Sequence, residues 1–434
     1  MRFATRSRTP GARRIVGAEA TAAKRRRVAY LVSHPIQYQA PLLRRLSAHP
    51  EIDLVVYYMD DGGARRRLDP EFGVAVQWDV PLLDGYAWRL LRNRSPWPDA
   101  DHFLRFVHPE IIAVLRRERY DALIVHGYAH ATEWLAFAGA LASRTPVLLR
   151  GESTLLGRRP LWLALARRVV LRALLRRIRA ALAIGTLNYA FYRAHGVAED
   201  RIFRVPYAVD NDRFRAEADR LRGRRDALRE ELGWPRGVPV ILYVGKLIPR
   251  KRPMDLLEAY ARVVADHPSA LVFLGEGSER DRLEAEARRR ALGHVLITGF
   301  VNQTAIARCY AAADLLVLPS SHEPWGLALN EGMCFGLPVV ASSMVGAAPD
   351  LVRDGENGFV YPVGDTEALA RALAALLGDP DRRRRMGERS REIVQAFSYD
   401  ADLRGILEAL HSIAPRGSAA PRRADLEPDA RGAR

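Results

Sequence analysis

Short apolar runs alternate with stretches of helical periodicity along most of the chain. Each run is nearly continuous in apolar residues and ends in glycine or polar residues, which is typical of strands buried on both faces of a parallel sheet. Such runs occupy residues 27–32, 52–58, 122–126, 146–150, 181–185, 238–244, 271–274, 295–298 and 315–319. Residues 131–141, 367–377 and 398–411 have the spacing of helices. The pattern predicts an α/β fold in which helices cover parallel sheets.

The length of the chain and its shifts in composition predict how it is divided. At 434 residues it is too long for one ordinary core, so we expect two domains. Residues 27–209 form the first and residues 238–390 the second, joined by a highly charged linker over 210–237. Residues 1–26 and 414–434 are rich in arginine and alanine, lack hydrophobic periodicity and are predicted to be disordered.

The overall composition, 48% hydrophobic and 27% charged, is that of a soluble globular protein. No apolar run reaches the length of a transmembrane helix, and no apolar segment of a signal peptide follows the basic N-terminus. We therefore expect a cytoplasmic protein. Cys309 and Cys334 fall in predicted buried elements, which indicates core thiols and neither a disulfide nor a metal cluster.

The formal net charge of +16 predicts an anionic partner: a nucleic acid, a lipid surface or a phosphorylated substrate. The most unusual basic segment covers residues 158–180. Its arginines recur at helical spacing among many leucines and valines, at Arg168, Arg172, Arg176 and Arg179. A basic amphipathic helix of this kind either lies on a membrane surface or packs on the first domain.

Two glutamates, Glu323 and Glu331, stand eight positions apart after a buried strand. The strand covers residues 315–319, and a short helix over 327–335 follows before Gly336 ends it. Ligands of open α/β sheets bind beyond the carboxyl ends of the strands, where helix N-termini point. We expect Glu323 at the mouth of such a crevice and Glu331 about one helical turn deeper. The alternative is an ordinary loop acid and a solvated helix residue.

A glycine turn with two cations follows the first strand of the second domain. Gly245 opens the turn, and Lys246 and Lys251 supply the charge. Cations and free N–H groups at the end of a strand suit a diphosphate, and the alternative is a solvated basic turn. Gly275 and Gly277, which follow the next strand, would allow close backbone approach.

Polar side chains also end or follow three strands of the first domain, and they are His34, Gln37, Tyr38, His126, Arg150 and Glu152. The first three either contact a ligand or cap the next helix. His126 is either a ligand contact or a hydrogen-bonded structural histidine. Since parallel strands end at one edge of a sheet, we expect these groups on the crevice side.

These residues carry a resemblance to a known family. The two glutamates match the E-x7-E motif of retaining glycosyltransferases, and the chain resembles glycosyltransferase family 4 of the GT-B architecture. The turn from Gly245 to Lys251 is similar to the G-R-L-x-x-x-K pattern of that family, with Lys246 in the arginine position. The resemblance is strong over residues 238–377 and loose over residues 27–209.

The resemblance implies the overall architecture. Two Rossmann-like, doubly wound domains would face a central cleft, with the donor held by the second domain and the acceptor by the first. Residues 391–413 would form helices that cross back to the first domain. Most family members have a glycine-rich loop after the first strand, and here His34 and residues 37–39 replace it.

The resemblance also implies roles for the site residues. The donor would be a nucleotide-diphosphate sugar, used with retention of configuration and without metal or other cofactor. Lys246 and Lys251 would stabilise the leaving diphosphate and Glu323 would hold sugar hydroxyls, so these are the expected catalytic residues. The expected donor contacts are Glu331 at the ribose, Phe300 and Val301 at the base, and Gly245, Gly275, Gly277, Gly326, Leu327 and Ala328 along the backbone. The polar residues of the first domain would lie on the acceptor side.

The implied activity is that of a hexosyltransferase with a hydroxyl acceptor, which is a lipid-linked or polysaccharide precursor of the cell envelope or a small molecule. The basic helix would then bind the anionic inner face of the cytoplasmic membrane. We expect no nucleic-acid partner, because no recognition motif is present. An NAD-dependent oxidoreductase is disfavoured by the lack of G-x-G-x-x-G after the first strand. A sugar-nucleotide epimerase of the same architecture stays open.

Overall fold

The computed structural model describes residues 25–413, except residues 70, 72, 99–101 and 158–159. The two segments predicted to be disordered therefore lie outside the described residues, apart from Arg25 and Arg26. Arg26 begins the first strand, one residue earlier than the apolar pattern predicts.

The first part of the described chain holds a large parallel sheet and a small hairpin. Its strands are β1 (Arg26–Val32), β2 (Ile52–Tyr58), β3 (Arg67–Asp69), β4 (Val74–Val76), β5 (Ala87–Leu90), β6 (Ala122–His126), β7 (Val147–Gly151), β8 (Ala180–Ala183) and β9 (Ile202–Arg204). The β3–β4 hairpin is antiparallel, and the other strands form one sheet in the order β5-β2-β1-β6-β7-β8-β9. The helices are α1 (Ala40–Ala48), α2 (Glu110–Glu118), α3 (Ala131–Ser143), α4 (Leu161–Arg177) and α5 (Thr186–Ala194).

Both faces of this sheet are buried. Tyr30 and Leu148 belong to a core cluster on one face, and their chain neighbours Leu31 and Leu149 belong to a cluster on the other. Side chains alternate between the two faces along a strand. Covering both faces therefore requires the nearly continuous apolar runs that the sequence shows.

A second parallel sheet follows the same logic. Its strands are β10 (Val240–Val244), β11 (Ala270–Leu274), β12 (Val295–Gly299), β13 (Leu315–Leu318), β14 (Val339–Ser342) and β15 (Gly358–Tyr361), in the order β12-β11-β10-β13-β14-β15. The helices of this part of the chain are α6 (Asn211–Arg220), α7 (Arg225–Leu232), α8 (Pro253–Val263), α9 (Arg280–Arg289), α10 (Ile306–Ala312), α11 (Leu327–Cys334), α12 (Ala348–Leu351), α13 (Thr366–Leu377), α14 (Pro380–Val394) and α15 (Tyr399–Ser412). Leu242 and Tyr243 point into clusters on opposite faces.

The segment predicted to be a linker, residues 210–237, is helical and contributes to the second core. Phe214 on α6, Leu228 on α7 and Trp234 are buried in the same cluster as strands of the second sheet. Because most residues of these helices are charged, their few apolar positions give a weak pattern in the sequence. The segment predicted as a charged linker thus also packs into the core of the second sheet, which its composition did not indicate.

Helix α15 returns to the first sheet, where Ile406 and Leu410 are buried in the cluster that contains Tyr30. Its Asp402 forms an ion pair with Arg150 at 2.7 Å, and both side chains are almost completely buried. The prediction that Arg150 faces the crevice was therefore wrong, because a carboxylate 252 positions later in the chain neutralises and covers it.

The two cysteines are buried free thiols, in agreement with their predicted place in the core. Among the described residues, no helix combines the length and the apolar character that a membrane span requires.

Candidate functional site

A cavity of about 430 Å³ lies where the carboxyl ends of strands from both sheets meet. Such a volume is in the range of roughly 300–1,000 Å³ found for small-molecule sites. The predicted site residues that line it are Gln37, Tyr38, Glu152, Gly245, Lys246, Lys251, Gly275, Phe300, Val301, Glu323, Gly326, Leu327, Ala328 and Glu331. The predicted residues that lie elsewhere are His34, His126, Arg150 and Gly277.

Glu323 occupies the loop between β13 and α11. Its carboxylate accepts a hydrogen bond from the ammonium group of Lys251, and only 13% of the Lys251 side chain and 12% of the Glu323 side chain are exposed. Gly326, with φ of 106°, ends the loop. A Cβ at that position would lie 2.8 Å from Leu318, so the tight entry into α11 requires glycine.

Glu331 lies inside α11 and lines the same cavity. It is 9% exposed and accepts a hydrogen bond from the Tyr310 hydroxyl at 2.6 Å. Burial raises the pKa of the Glu331 carboxyl, although the Tyr310 bond acts against this rise. The two motif glutamates thus share one cavity but differ in surroundings: one faces a cation, and the other a phenol.

The basic turn contacts the β3–β4 hairpin of the first part of the chain. Lys246 Nζ lies 3.0 Å from Asp69 and 2.8 Å from Glu71. Arg250, which the sequence analysis did not select, lies 2.8 Å from Glu71 and also lines the cavity. Lys246, which is expected to meet a diphosphate, and its neighbour Arg250 therefore both contact carboxylates of the same chain.

Gly275 and Gly277 pack on the basic turn. A Cβ at Gly275 would overlap the carbonyl of Gly245, and a Cβ at Gly277 would overlap the backbone of Leu247. Gly275 still lines the cavity. Gly277 is not part of the cavity lining, so the structure places it apart from the other expected donor contacts.

The first sheet contributes Glu152, Tyr38 and the unpredicted Tyr207 to the cavity. His126 lies behind Tyr207, with its Nε2 atom 2.9 Å from the Tyr207 hydroxyl. Burial, with a smaller effect of Arg150, lowers the pKa of His126 to about 3, so the ring is neutral. His126 therefore supports a cavity residue and is itself outside the lining.

His34 is exposed and bonds to the Ser33 hydroxyl at 2.9 Å. The prediction that His34, Gln37 and Tyr38 all face the crevice was wrong for His34, because only Gln37 and Tyr38 line the cavity. The side chain of a residue in an irregular loop cannot be oriented from strand alternation.

Sequence reasoning missed several aromatic residues of the site. Trp78 lines the cavity and packs against Phe300 with 5.8 Å between ring centroids. Trp325 is buried and packs against Tyr207 at 5.9 Å. These contacts join residues far apart in the sequence, so no local pattern indicates them.

Within the described ranges, no group of three or more His, Cys, Asp or Glu side chains has an arrangement that could hold a metal ion.

The sequence of this chain is similar to those of known glycosyltransferases. Residues 224–393 match the family model described as glycosyl transferases group 1. The D-inositol 3-phosphate glycosyltransferase of Thermomonospora curvata is 32% identical over 225 residues, which cover 49% of this chain and 52% of the relative. The lipopolysaccharide core biosynthesis glycosyltransferase LpsE of Rhizobium meliloti is 36% identical over 186 residues, or 42% and 53% of the two chains. The chain thus spans about half the length of these curated relatives.

Solved structures share the fold over nearly their whole length. A glycosyltransferase from Rickettsia africae superposes with a TM-score of 0.70 and 16% identity, covering 90% of this chain and 99% of that one. Anabaena HepE in complex with UDP and glucose gives a TM-score of 0.65 and 18% identity, covering 89% and 99%. These likenesses confirm the predicted fold class. The packing of α15 on the first sheet agrees with the predicted return of the C-terminal helix.

Proposed function

We propose that this chain is a retaining glycosyltransferase. Its match to the family model of glycosyl transferases group 1 confirms the predicted resemblance to family 4. It would move a sugar from a nucleotide-diphosphate sugar to a hydroxyl acceptor. The observation that carries the proposal is the meeting of the basic turn and both motif glutamates in one cavity at the ends of two parallel sheets.

The proposed roles of the site residues depend on the negative charge that develops during transfer. Breaking the bond between the sugar and the diphosphate places negative charge on the leaving group. Lys251 and Lys246, together with the N–H groups at the start of α11, are suited to stabilise that charge in a partly buried site. Glu323 would hold sugar hydroxyls and Glu331 the ribose hydroxyls. Because cations and helix N–H groups supply this stabilisation, we propose that transfer needs no divalent metal.

The named relatives are glycosyltransferases, which favours transfer over the alternative of a sugar-nucleotide epimerase. An epimerase converts its substrate without an acceptor and releases no nucleotide. The experiment is a thermal-shift screen of UDP-, GDP- and ADP-glucose, followed by measurement of nucleotide release in the presence of EDTA. Binding of a sugar nucleotide with EDTA-resistant release of nucleotide supports the proposal. Release that depends strictly on a divalent metal, or epimer formation without release, would contradict it.

We further propose that the acceptor is lipid-linked and that α4 binds an anionic membrane surface. Trp162, Leu165 and Val169 are 62–72% exposed on this helix, between exposed arginines. Arg167 donates to the Tyr128 hydroxyl at 3.1 Å, and Tyr128 bonds to Ser153, the neighbour of Glu152 in the chain. A membrane bound to α4 would therefore lie beside the acceptor side of the cavity.

A further inference from the structure

Trp78 joins the wall of the cavity from the first part of the chain. It is half-buried, follows the β3–β4 hairpin, and lines the cavity together with Phe300 and Val301 of the second part. Its ring packs edge-on against Phe300, with 5.8 Å between the ring centroids. The first part of the chain thus adds an indole ring to a cavity wall built by the second part.

The residues on either side of Trp78 are bonded to the second part of the chain. The amide nitrogen of Asn302 donates to the Gln77 carbonyl at 2.7 Å, and the Asp79 backbone N–H donates to the Asn302 side-chain oxygen at 3.4 Å. A carbonyl only accepts and a backbone N–H only donates, so these partners fix the orientation of the Asn302 amide. The Asp79 carboxylate accepts from the Thr304 backbone N–H at 3.2 Å and also from the Thr304 hydroxyl. We call these bonds the Asp79 latch.

Within the first part of the chain, Trp78 is held by Gly63. The Trp78 backbone N–H donates to the Gly63 carbonyl at 3.3 Å. Gly63 has a φ of 84°, and a Cβ at this position would lie 3.1 Å from the indole ring and 2.9 Å from the Pro35 carbonyl. Contacts from both parts of the chain therefore hold the ring at the cavity wall, and a ring that is already fixed loses little entropy when it binds a ligand.

The cavity has a cationic region and an aromatic region. Lys246, Arg250 and Lys251 supply the cations, and Trp78 and Phe300 supply aromatic rings. A nucleoside diphosphate has the same two components, because a ribose joins its anionic diphosphate to an aromatic base. The aromatic region is the part of the cavity that suits the base.

Glu331 lies beside the segment that holds Trp78. Burial raises the pKa of the Glu331 carboxyl, and hydrogen bonds from Tyr310 and Gln303 act against that rise, so Gln303 lies against the carboxylate. Gln303 lines the cavity and follows Asn302 of the Asp79 latch in the chain. A ribose bound by Glu331 would therefore carry its base on the Trp78 side of the cavity.

We propose that Trp78 stacks on the base of the nucleotide and that the Asp79 latch positions it there. The inference rests on the proposed function and adds a donor-binding residue from the first part of the chain. The nucleotide would then be bound from both sheets. Every base has a π-face, so stacking on Trp78 would supply affinity, and other contacts would select the base.

The first test measures binding of free nucleoside diphosphate to the full chain by calorimetry. The probe is UDP, GDP or ADP, according to which nucleotide-glucose gives the largest thermal shift. We expect Trp78→Ala to weaken binding by about fivefold or more, because one stack of a base on an aromatic ring is lost. The matched control Trp97→Ala should bind as the wild type does, because Trp97 packs against another ring, His102, outside the cavity lining.

The second test separates stacking on the base from packing within the protein. Trp78→Phe keeps an aromatic ring and should retain most of the nucleotide affinity. A base stacked on an indole quenches the fluorescence of that indole. The quenching caused by the nucleoside diphosphate should therefore be smaller in Trp78→Phe than in the wild type, and Trp97→Phe should keep the full quenching.

The third test concerns the Asp79 latch. Asp79→Ala removes the carboxylate that accepts both bonds from Thr304 and should weaken nucleotide binding by about twofold or more. A residue that acts through Trp78 has no further effect once the indole is gone. Asp79→Ala combined with Trp78→Ala should therefore bind the nucleotide as Trp78→Ala alone does.

The outcomes separate this inference from the proposed function. A wild type that binds no sugar nucleotide and none of the three nucleoside diphosphates would refute the proposed function itself. A wild type that binds one of them while Trp78→Ala binds it equally well would refute only the stacking, and is the result expected if the ring meets the acceptor instead. Undiminished quenching in Trp78→Phe would also refute the stacking. Additive losses in the double variant would refute the positioning role of Asp79.

Discussion

Two glutamates of one motif lie in one cavity but have different partners, and this difference predicts different roles. Glu323 faces Lys251, whereas Glu331 is buried in α11 against Tyr310. A residue that binds ribose serves donor and free nucleotide alike. A residue that binds the sugar contributes only when the sugar is present.

We expect Glu331→Ala to weaken binding of both the donor and the free nucleotide. Glu323→Gln should depress turnover while the affinity for free nucleotide stays nearly intact. Calorimetry with free nucleotide, combined with steady-state kinetics on the donor, measures both effects. Equal weakening of free-nucleotide binding in the two variants would contradict this assignment.

For individual residues, the sequence predicted which side chains line the cavity better than it predicted which side chains they contact. Strand ends predicted that Glu323, Lys251 and Glu152 converge, because carboxyl ends of parallel strands share an edge. It did not predict that Arg150 is buried, since that depends on Asp402 in a helix 252 positions later. Charge and spacing place a side chain near an edge, but a long-range partner decides whether it reaches the ligand.

Among the helices, α4 has an uncovered apolar surface. Leu171, Leu174 and Leu175 are buried, so one side of the helix packs on the first sheet. Trp162 and Val169 are exposed over 72% and 69% of their surface. The helix thus packs on the protein with one side and presents apolar and cationic groups to the solvent with the other, which is typical of an interfacial helix.

We expect changing Arg168, Arg172 and Arg176 together to Gln to reduce binding to anionic vesicles by several fold or more. Each arginine near an anionic bilayer contributes about 1 kcal/mol, within roughly a Debye length. Co-sedimentation with anionic and neutral vesicles measures the effect, with residues 1–24 removed from every protein compared.

The matched control for α4 changes the exposed Arg282, Arg288 and Arg289 of α9 to Gln, which removes the same net charge elsewhere. Equal pelleting of the wild type and the α4 variant would contradict the membrane proposal. Equal loss in both variants would show that only the net charge matters.

At the scale of elements, the apolar runs predicted β1, β2, β6, β7, β8 and β10 to β13, and helical spacing predicted α3, α13 and α15. The strands β3, β4, β5, β9, β14 and β15 were not predicted, and the segment of α6 and α7 was predicted to be a linker. Residues 210–237 are dominated by charge, and a window average hides Phe214 and Leu228. A helix with a narrow apolar stripe can still belong to a core when its neighbours provide the matching surface. That information lies in the second sheet and not in the segment itself.

The whole molecule is joined by α15, whose Asp402 meets Arg150 beneath the first sheet. Breaking a buried ion pair from one side leaves an uncompensated charge, which destabilises by about 3–5 kcal/mol. We expect Arg150→Ala to lower the midpoint of urea unfolding accordingly. The control Arg222→Ala removes one partner of an exposed pair with Asp219 and should leave the midpoint unchanged. Similar midpoints for both variants would contradict a role of the buried pair in joining the domains.

The β3–β4 hairpin makes a second connection, through Asp69 and Glu71 to Lys246 and Arg250. A bound diphosphate would bring further negative charge to these cations and would have to displace the carboxylates. We expect Asp69→Asn combined with Glu71→Gln to bind the free nucleoside diphosphate several fold more tightly. Calorimetry at fixed ionic strength measures this change.

The control for the hairpin is the pair Asp381→Asn and Glu388→Gln on α14, which removes the same charge from an exposed helix. Unchanged or weaker nucleotide binding in the hairpin variant would contradict the expectation. It would indicate instead that the carboxylates hold the cations in a geometry favourable for the ligand.

The hairpin also bears on how quickly the cavity empties after reaction. Asp69 and Glu71 belong to the same chain as Lys246, so they compete with a bound anion at an effective concentration that does not depend on dilution. After transfer, the nucleoside diphosphate no longer has the contacts that the sugar made with the protein. The carboxylates of Asp69 and Glu71 still compete for Lys246 as strongly as before. The residence time of the product should therefore be shortened more than that of the donor.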